Sequence, residues 1–505
     1  MALHSVGFLF VFLPLTLLAF VCVKRLHVSG ALVVLTAASV LFYALQDVNA
    51  LPVLLGSLVW NYSWSFFLDQ NSTTEHPLTT KLLLAVSITG NILLLAFFKY
   101  IPTLSLLLPQ ETLPPSAETL VLPFAISFFT FTQISYLIEV ANGDITQPTI
   151  LHYCTYVLFF PKLIAGPIAR ASAMLPQLSP ENLRVRIGDG FIQGLSFLVI
   201  GLFKKVVIAD HLALVVTPIF ASALRSVPTF YRAWFGTTAY GLQLYFDFSG
   251  YTDMAIGIAL FFGIALPMNF NSPYTSVTIA EFWRRWHITL GSFFRNYVYI
   301  PLGGNRCGFF RKLINLLIVM FLVGIWHGSG VTFAIWGALH GLCMCIHTAW
   351  VALKKKLGGT DATGGSVGRL FGRALTFFTI TVLWVFFRAE NLSAAMRMLR
   401  AMFSMPLRAP SAGEFLPAAA VLIVPLIIVW FLPTTQRWLG YTGNETPEPA
   451  IVQPTGAIAP QVTDTASAGR FAGLRSLGRG LMIGGLGVCA AAFLSQGVAF
   501  IYGNF

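Results

Sequence analysis

Apolar residues run along this chain in long unbroken blocks, separated by short polar or glycine- and proline-containing joints. The blocks lie near 3–23, 29–48, 51–68, 81–99, 119–138, 151–168, 191–217, 235–266, 313–326, 331–350, 374–388, 416–433 and 479–501. A bilayer core about 30 Å thick is crossed by roughly 20 mostly apolar helical residues, and many of the blocks approach that length. Their apolar positions are contiguous rather than alternating in ten-residue units, which favours helices over a membrane barrel. The pattern therefore predicts an all-α integral membrane protein with about 10–12 transmembrane helices, the remaining blocks being re-entrant or amphipathic. No internal repeat is visible, which weighs against an inverted-repeat transporter. Two joints read as polar: a short loop at 69–80, and a stretch at 437–478 rich in Thr, Pro, Gly, Ala and Ser, the composition of a flexible linker. They divide the chain into a membrane domain (1–436), a linker (437–478) and a C-terminal transmembrane segment (479–505).

Composition strengthens the membrane reading. Of 505 residues, 56% are hydrophobic and only 10% are charged, where a soluble domain carries about 25% charged residues. So few charges exclude a soluble enzyme or a disordered scaffold. The first apolar block is read as a span that stays, because similar blocks recur to the C-terminus. The net charge of +12 is scattered. Its clusters, Lys24–Arg25, Arg284 to Lys312 and Lys354–Lys356, flank apolar blocks, so positive-inside bias places them on the cytoplasmic side. No basic solvated domain suggests nucleic acid. Six cysteines include no CxxC pair, and His340 and His347 have no acidic neighbour, so neither a disulfide framework nor a metal site is expected.

Two regions carry candidate chemistry. Residues 313–353 contain no Asp, Glu, Lys or Arg, yet His327 lies inside them, in GIWHGSG. An imidazole there must face protein or a cavity, and Gly324, Gly328 and Gly330 permit a helix break or a close substrate approach. A histidine can take a proton from a hydroxyl near neutral pH, so His327 is read either as a general base or as a buried histidine satisfied between helices. The second region, 241–312, mixes Asp247, Asp253, Glu281, Arg284, Arg285, His287 and Arg295 with dense aromatics. It is too polar to face lipid and suits helices packed inside the protein or lying at the interface. His287, in WRRWHITL, is read as a second acid/base group or an interfacial belt residue. Asp247 and Asp253 suggest either a cation or proton relay or, preferably, structural ion pairs with Arg284, Arg285 or Arg295. Lys204 and Lys205, with Arg284, Arg285 and Arg295, are candidates for holding an anionic donor, with snorkelling and positive-inside bias as their structural readings.

The stretches FPKLIAGPIARA (160–171), GLFKKVVIAD (201–210), YFDFSGYTDMAIGIALFFGIALPMNFNSPY (245–274), EFWRRWHITLGSFFRNYVYIPLGGNR (281–306) and GIWHGSGVTFAIWGALHG (324–341) occur in order. Together they make the chain resemble the membrane-bound O-acyltransferase family, in particular its bacterial branch of alginate O-acetyltransferases and D-alanyl transfer proteins of teichoic acid modification. The resemblance implies a helical ring around a central funnel. It implies acyl transfer from a cytoplasmic thioester to an extracytoplasmic hydroxyl, with His327 as general base and His287 as the second family histidine. It implies no tightly bound cofactor, the donor substrate being acetyl-CoA, an acyl-carrier protein or another acyl thioester. Its implied partners are membrane lipid, periplasmic acetylation proteins and an exported polysaccharide acceptor, and its implied location is the bacterial inner membrane. D-alanyl transfer to a teichoic acid-type acceptor is the nearest alternative, and a cation-coupled transporter using Asp247 and Asp253 is the alternative from another class.

Overall fold

In a computed structural model of the chain, residues 1–72, 77–105, 121–185, 190–358, 365–404, 412–443 and 472–494 are described. Among them every regular element is helical. The N-terminal part is α1 (Leu13–Leu26), α2 (Val28–Ala44), α3 (Leu51–Ser72), α4 (Pro77–Ser105), α5 (Ile126–Ala141) and α6 (Ile150–Leu158). The central part is α7 (Phe191–Leu202), α8 (Asp210–Ser222), α9 (Phe230–Phe261), α10 (Ile279–Arg285) and α11 (Ile288–Phe294). Then come α12 (Phe309–His327), α13 (Val331–Lys356), α14 (Gly365–Arg388), α15 (Leu392–Phe403), α16 (Ala412–Phe431), α17 (Thr435–Leu439) and α18 (Ala472–Phe493).

Among the described residues, seven helical stretches are long and apolar enough to cross a bilayer, and four shorter apolar helices of 10–17 residues accompany them. The protein is an all-α, multi-pass membrane protein. Not every apolar block forms one continuous, outward-facing span. The block at 151–168 breaks at Phe159, whose φ of −45° and ψ of 103° leave the helical region. The chain restarts as a four-residue helix, Phe160–Leu163, with Pro161 in its first turn, where a missing N–H costs nothing. The block at 235–266 folds as the 32-residue α9, but most of its side chains are buried in protein rather than facing outward.

The joints also differ from expectation. The polar loop expected at 69–80 is shorter, since α3 continues to Ser72 and α4 begins at Pro77, with 73–76 outside the described residues. Most of the expected linker at 437–478 also lies outside them, but its two ends are helical: Arg437–Leu439 completes α17, and α18 starts at Ala472.

Close helix packing rests on glycine. A Cβ on Gly201 of α7 would lie 2.6 Å from the Gly250 carbonyl of α9, and one on Gly257 would lie 2.5 Å from that of Gly194. The α12/α13 hairpin repeats the device, since a Cβ on Gly324 would lie 2.5 Å from the Phe333 carbonyl and one on Gly337 would meet the Met320 carbonyl. In a bilayer, where apolar tails offer no hydrophobic drive for association, such small residues let backbones approach and dispersion hold them. The hairpin puts Arg311, Lys312 and Lys354–Lys356 at its open end and His327 at its closed end, about 24 Å from Arg311 at 1.5 Å per residue along α12.

Candidate active site

His327 is the last residue of α12, and extended Gly328 ends the helix there. Its imidazole is 1% exposed and is walled by aromatic rings: Trp326, Phe387 and Trp336, at centroid distances of 4.8, 5.0 and 5.4 Å. A Cβ on Gly328 would collide with the Phe333 ring, so the turn is tight because this residue has no side chain. His287 also packs near Trp326, 6.2 Å from it between centroids. His340 packs on Trp336 at 4.7 Å. His327 is within coulombic range of both histidines and of Lys99. The structure thus brings together the two histidines singled out in the sequence and adds a third.

His287 adopts φ +46°, ψ +55° as the N-cap of α11. This left-handed conformation is uncommon for a residue with a Cβ and persists only where the surroundings enforce it. Asn269 enforces it. Its Oδ1 lies 3.0 Å from His287 Nδ1 and accepts from the Thr289 backbone N–H at 3.3 Å and hydroxyl at 3.0 Å, while its carbonyl accepts from the Ile288 N–H at 2.9 Å. Since the Thr289 N–H can only donate, the Asn269 atom facing it is an oxygen, and His287 Nδ1 must carry the proton. Nε2 is therefore the basic nitrogen. Burial pushes the imidazole down to about 3, so it is neutral near pH 7. The Asn269→Ala variant is expected to release the turn and to cost about 1–3 kcal/mol of stability, since it strips buried donors of their acceptor. An unchanged Tm would show that the turn needs no such anchor.

Glu281 and Arg285 hold the helix that leads into this turn. Thr278 caps α10 by accepting from the Glu281 N–H at 3.1 Å, and Glu281 accepts in return from the Val277 N–H at 2.7 Å. Glu281 also pairs with Arg285 at 2.6 Å, and Arg285 donates to the Thr275 hydroxyl at 3.1 Å. Arg284 is exposed and Arg295 half-buried at the start of a π-helical stretch, Arg295–Tyr299.

The other polar candidates form a separate buried network. The arginine pairing expected for Asp247 and Asp253 is replaced by lysines. Lys204 pairs with Asp253 at 2.6 Å, and Lys205 with both Asp210 and Asp247 at 2.8 Å. Thr435 of α17 donates to Asp253 at 2.7 Å. A π-helical stretch over Phe203–Ala209 widens the turn that carries both lysines. Lys204 and Lys205, expected to meet an anionic donor, are thus engaged by carboxylates, and their side chains are only 12% and 2% exposed.

Three residues at the site carried no mark in the sequence. Lys99, buried in α4, donates to the Trp326 carbonyl at the end of α12 and sits 5.8 Å from the centre of the Trp326 ring. Tyr100 donates to the Ile325 carbonyl at 2.7 Å, and Thr103 donates to the Ser329 hydroxyl at 2.6 Å or accepts from it. A cation and two hydroxyls thus meet the α12 C-terminus, where unpaired carbonyls gather partial negative charge. They fix the backbone that aims His327. Among the described residues, no group of three or more His, Cys, Asp or Glu is arranged to hold a metal ion.

Imidazoles around one indole, sealed among aromatic rings, can move a proton and exclude water. The chain is 40% identical to the peptidoglycan O-acetyltransferase of Helicobacter pylori over 428 residues, covering 78% of each protein. It is also 40% identical to the "Probable alginate O-acetylase" of Pseudomonas putida over 414 residues, covering 80% of each. The teichoic acid D-alanyltransferase of Streptococcus thermophilus is 30% identical over 241 residues, 46% of this chain and 58% of that protein. The family model described as the membrane-bound O-acyltransferase family matches residues 55–363, which include both WRRWH and GIWHGSG. The chain belongs to the membrane-bound O-acyltransferase family and is an O-acyltransferase.

Proposed function

We propose that the protein transfers acetyl groups from a cytoplasmic thioester, acetyl-CoA or an acetylated carrier, to hydroxyls of an extracytoplasmic polysaccharide, with His327 as general base. The observation that carries this reading is the position of His327: a buried imidazole at the closed end of a hairpin whose basic residues mark the opposite face. With that basic face in the cytoplasm, the histidine lies toward the acceptor side of a bacterial inner membrane, and the donor enters from the basic side through a funnel within the helical ring. The likeness to acetyltransferases of peptidoglycan and alginate over about four fifths of the chain supports acetyl as the group and a glycan as the acceptor.

The reaction follows from ordinary acid–base chemistry. His327 takes the hydroxyl proton as the acceptor oxygen bonds to the thioester carbonyl carbon. The tetrahedral intermediate collapses by breaking the C–S bond, and the departing thiolate recovers the proton. His287, with Nε2 as its basic nitrogen, accepts from a neighbouring hydroxyl of the acceptor sugar and so orients it, leaving the attacking hydroxyl's proton to His327. The aromatic walls keep water from competing for the thioester. Asp247 and Asp253 have a structural role in this reading, because each is held by a lysine.

Mass spectrometry of the host's wall and exported glycans, with and without the gene, tests acceptor and group together. Loss of the acetyl ester from peptidoglycan or from an exopolysaccharide is expected. Loss of D-alanine ester with acetyl unchanged would replace the acetyl reading with the D-alanyl one. Unchanged glycans would contradict both readings. Periplasmic acetylation proteins that present the polysaccharide to the outer face are the expected partners, and deleting them should lower the ester formed in cells.

A further inference from the structure

A tetrahedral intermediate needs hydrogen-bond donors where its negative charge develops, and two buried N–H groups near His327 have no acceptor among the described residues. Trp336 is fully buried on α13, with its ring edge-to-face against His327 at a centroid distance of 5.4 Å. Its indole N–H finds no acceptor among the described residues. One turn further along α13, His340 is also fully buried, 4.7 Å from Trp336 between ring centroids. The Trp283 indole N–H donates to His340 Nδ1 at 3.2 Å. An indole can only donate, so Nδ1 is the accepting nitrogen and the neutral ring carries its proton on Nε2. That Nε2–H likewise finds no acceptor among the described residues.

A buried donor left without an acceptor costs about 1–3 kcal/mol, so two such donors in adjacent rings call for an explanation. Packing supplies none: Trp336 stacks on Trp384 at 5.7 Å and 18°, a contact that a phenyl ring would make equally well. Resting on the acyl-transfer reading above, we propose that Trp336 Nε1–H and His340 Nε2–H form the donor pair for the acyl carbonyl oxygen. They bind it weakly as a neutral carbonyl and strongly as an oxyanion. As the acceptor oxygen bonds to the carbonyl carbon, the C=O π electrons move onto this oxygen while His327 holds the hydroxyl proton. As the C–S bond breaks, those electrons re-form C=O and the sulfur leaves with its bonding pair and the proton from His327. Trp283 is a positioning residue, because its hydrogen bond selects the His340 tautomer that can donate.

The test replaces Trp336 in the full-length protein with phenylalanine and, separately, with benzothienylalanine, whose sulfur removes the N–H and keeps the bicyclic ring. Donor and acceptor kinetics are then measured beside His327→Ala. Removing one donor of such a pair lowers kcat by about 10²–10³-fold, and both variants are expected to show this fall with donor KM within about threefold, as for an interaction made in the transition state. Wild-type kcat in the benzothienyl variant would overturn the donor pair, as would a raised KM with kcat unchanged. An inactive His327→Ala beside either result would leave the base reading standing, whereas an active one would remove that reading as well.

Discussion

Replacing His327 with alanine is expected to abolish acyl transfer while the protein still reaches the membrane at normal abundance. A positioned general base contributes about 10²–10⁴-fold, and the two neighbouring imidazoles are held by other partners. His287 is fixed by Asn269 and lies 6.2 Å from Trp326 between ring centroids, and His340 has its Nδ1 occupied by Trp283. The hole left by alanine is lined by Trp326, Trp336 and Phe387, large rings that keep α12 packed. The measurement is ester content of the acceptor glycan, normalised to membrane abundance. His327→Gln, which keeps volume and hydrogen bonding without a basic nitrogen, is expected to be equally inactive.

The second large effect concerns stability. Lys205→Met is expected to destabilise the protein by about 3–5 kcal/mol, the cost of breaking a buried ion pair from one side. The reason is geometric. Lys205 is the shared partner of Asp210 and Asp247 at 2.8 Å each, and all three side chains are less than a tenth exposed. Removing the ammonium leaves two carboxylates facing one another in a site closed to water. Thermal unfolding of detergent-solubilised protein reads this directly, as a lower Tm and poor recovery from membranes. Adding Asp247→Leu to Lys205→Met is expected to restore part of the loss, because an apolar replacement of the pair is far less costly than half of it. A Tm unchanged in the single variant would mean that the network carries no structural weight.

The two networks differ in how far the sequence reveals them. His327 was legible because a single imidazole flanked by glycines stands out in a charge-free stretch, and the helix does end there. The left-handed turn at His287 was not. It depends on Asn269, 18 residues earlier in an irregular segment, and no periodicity links an N-cap to such an anchor. Lys99 was invisible for a different reason: a lone lysine near the end of an apolar block reads as an interfacial residue, whereas here it reaches across 227 positions to the α12 carboxyl end. Asp247 and Asp253 were correctly expected to need cationic partners, but nearby arginines looked the better candidates. The π-helical turn at Phe203–Ala209 brings two consecutive lysines to α9 instead. The helical class followed from block length alone; where blocks break, as at Phe159, depends on tertiary packing that hydropathy does not encode.

The central claim is that the acyl group passes directly from thioester to hydroxyl under a histidine base. Purified protein in proteoliposomes, given radiolabelled acetyl-CoA on the face bearing Lys354–Lys356 and a soluble glycan acceptor on the other, tests it in a single turnover. Label is predicted to appear on the glycan at the rate the thioester disappears, with none on the protein at any time. Label accumulating on the protein before the glycan, or transfer that persists at full rate in His327→Ala, would contradict it.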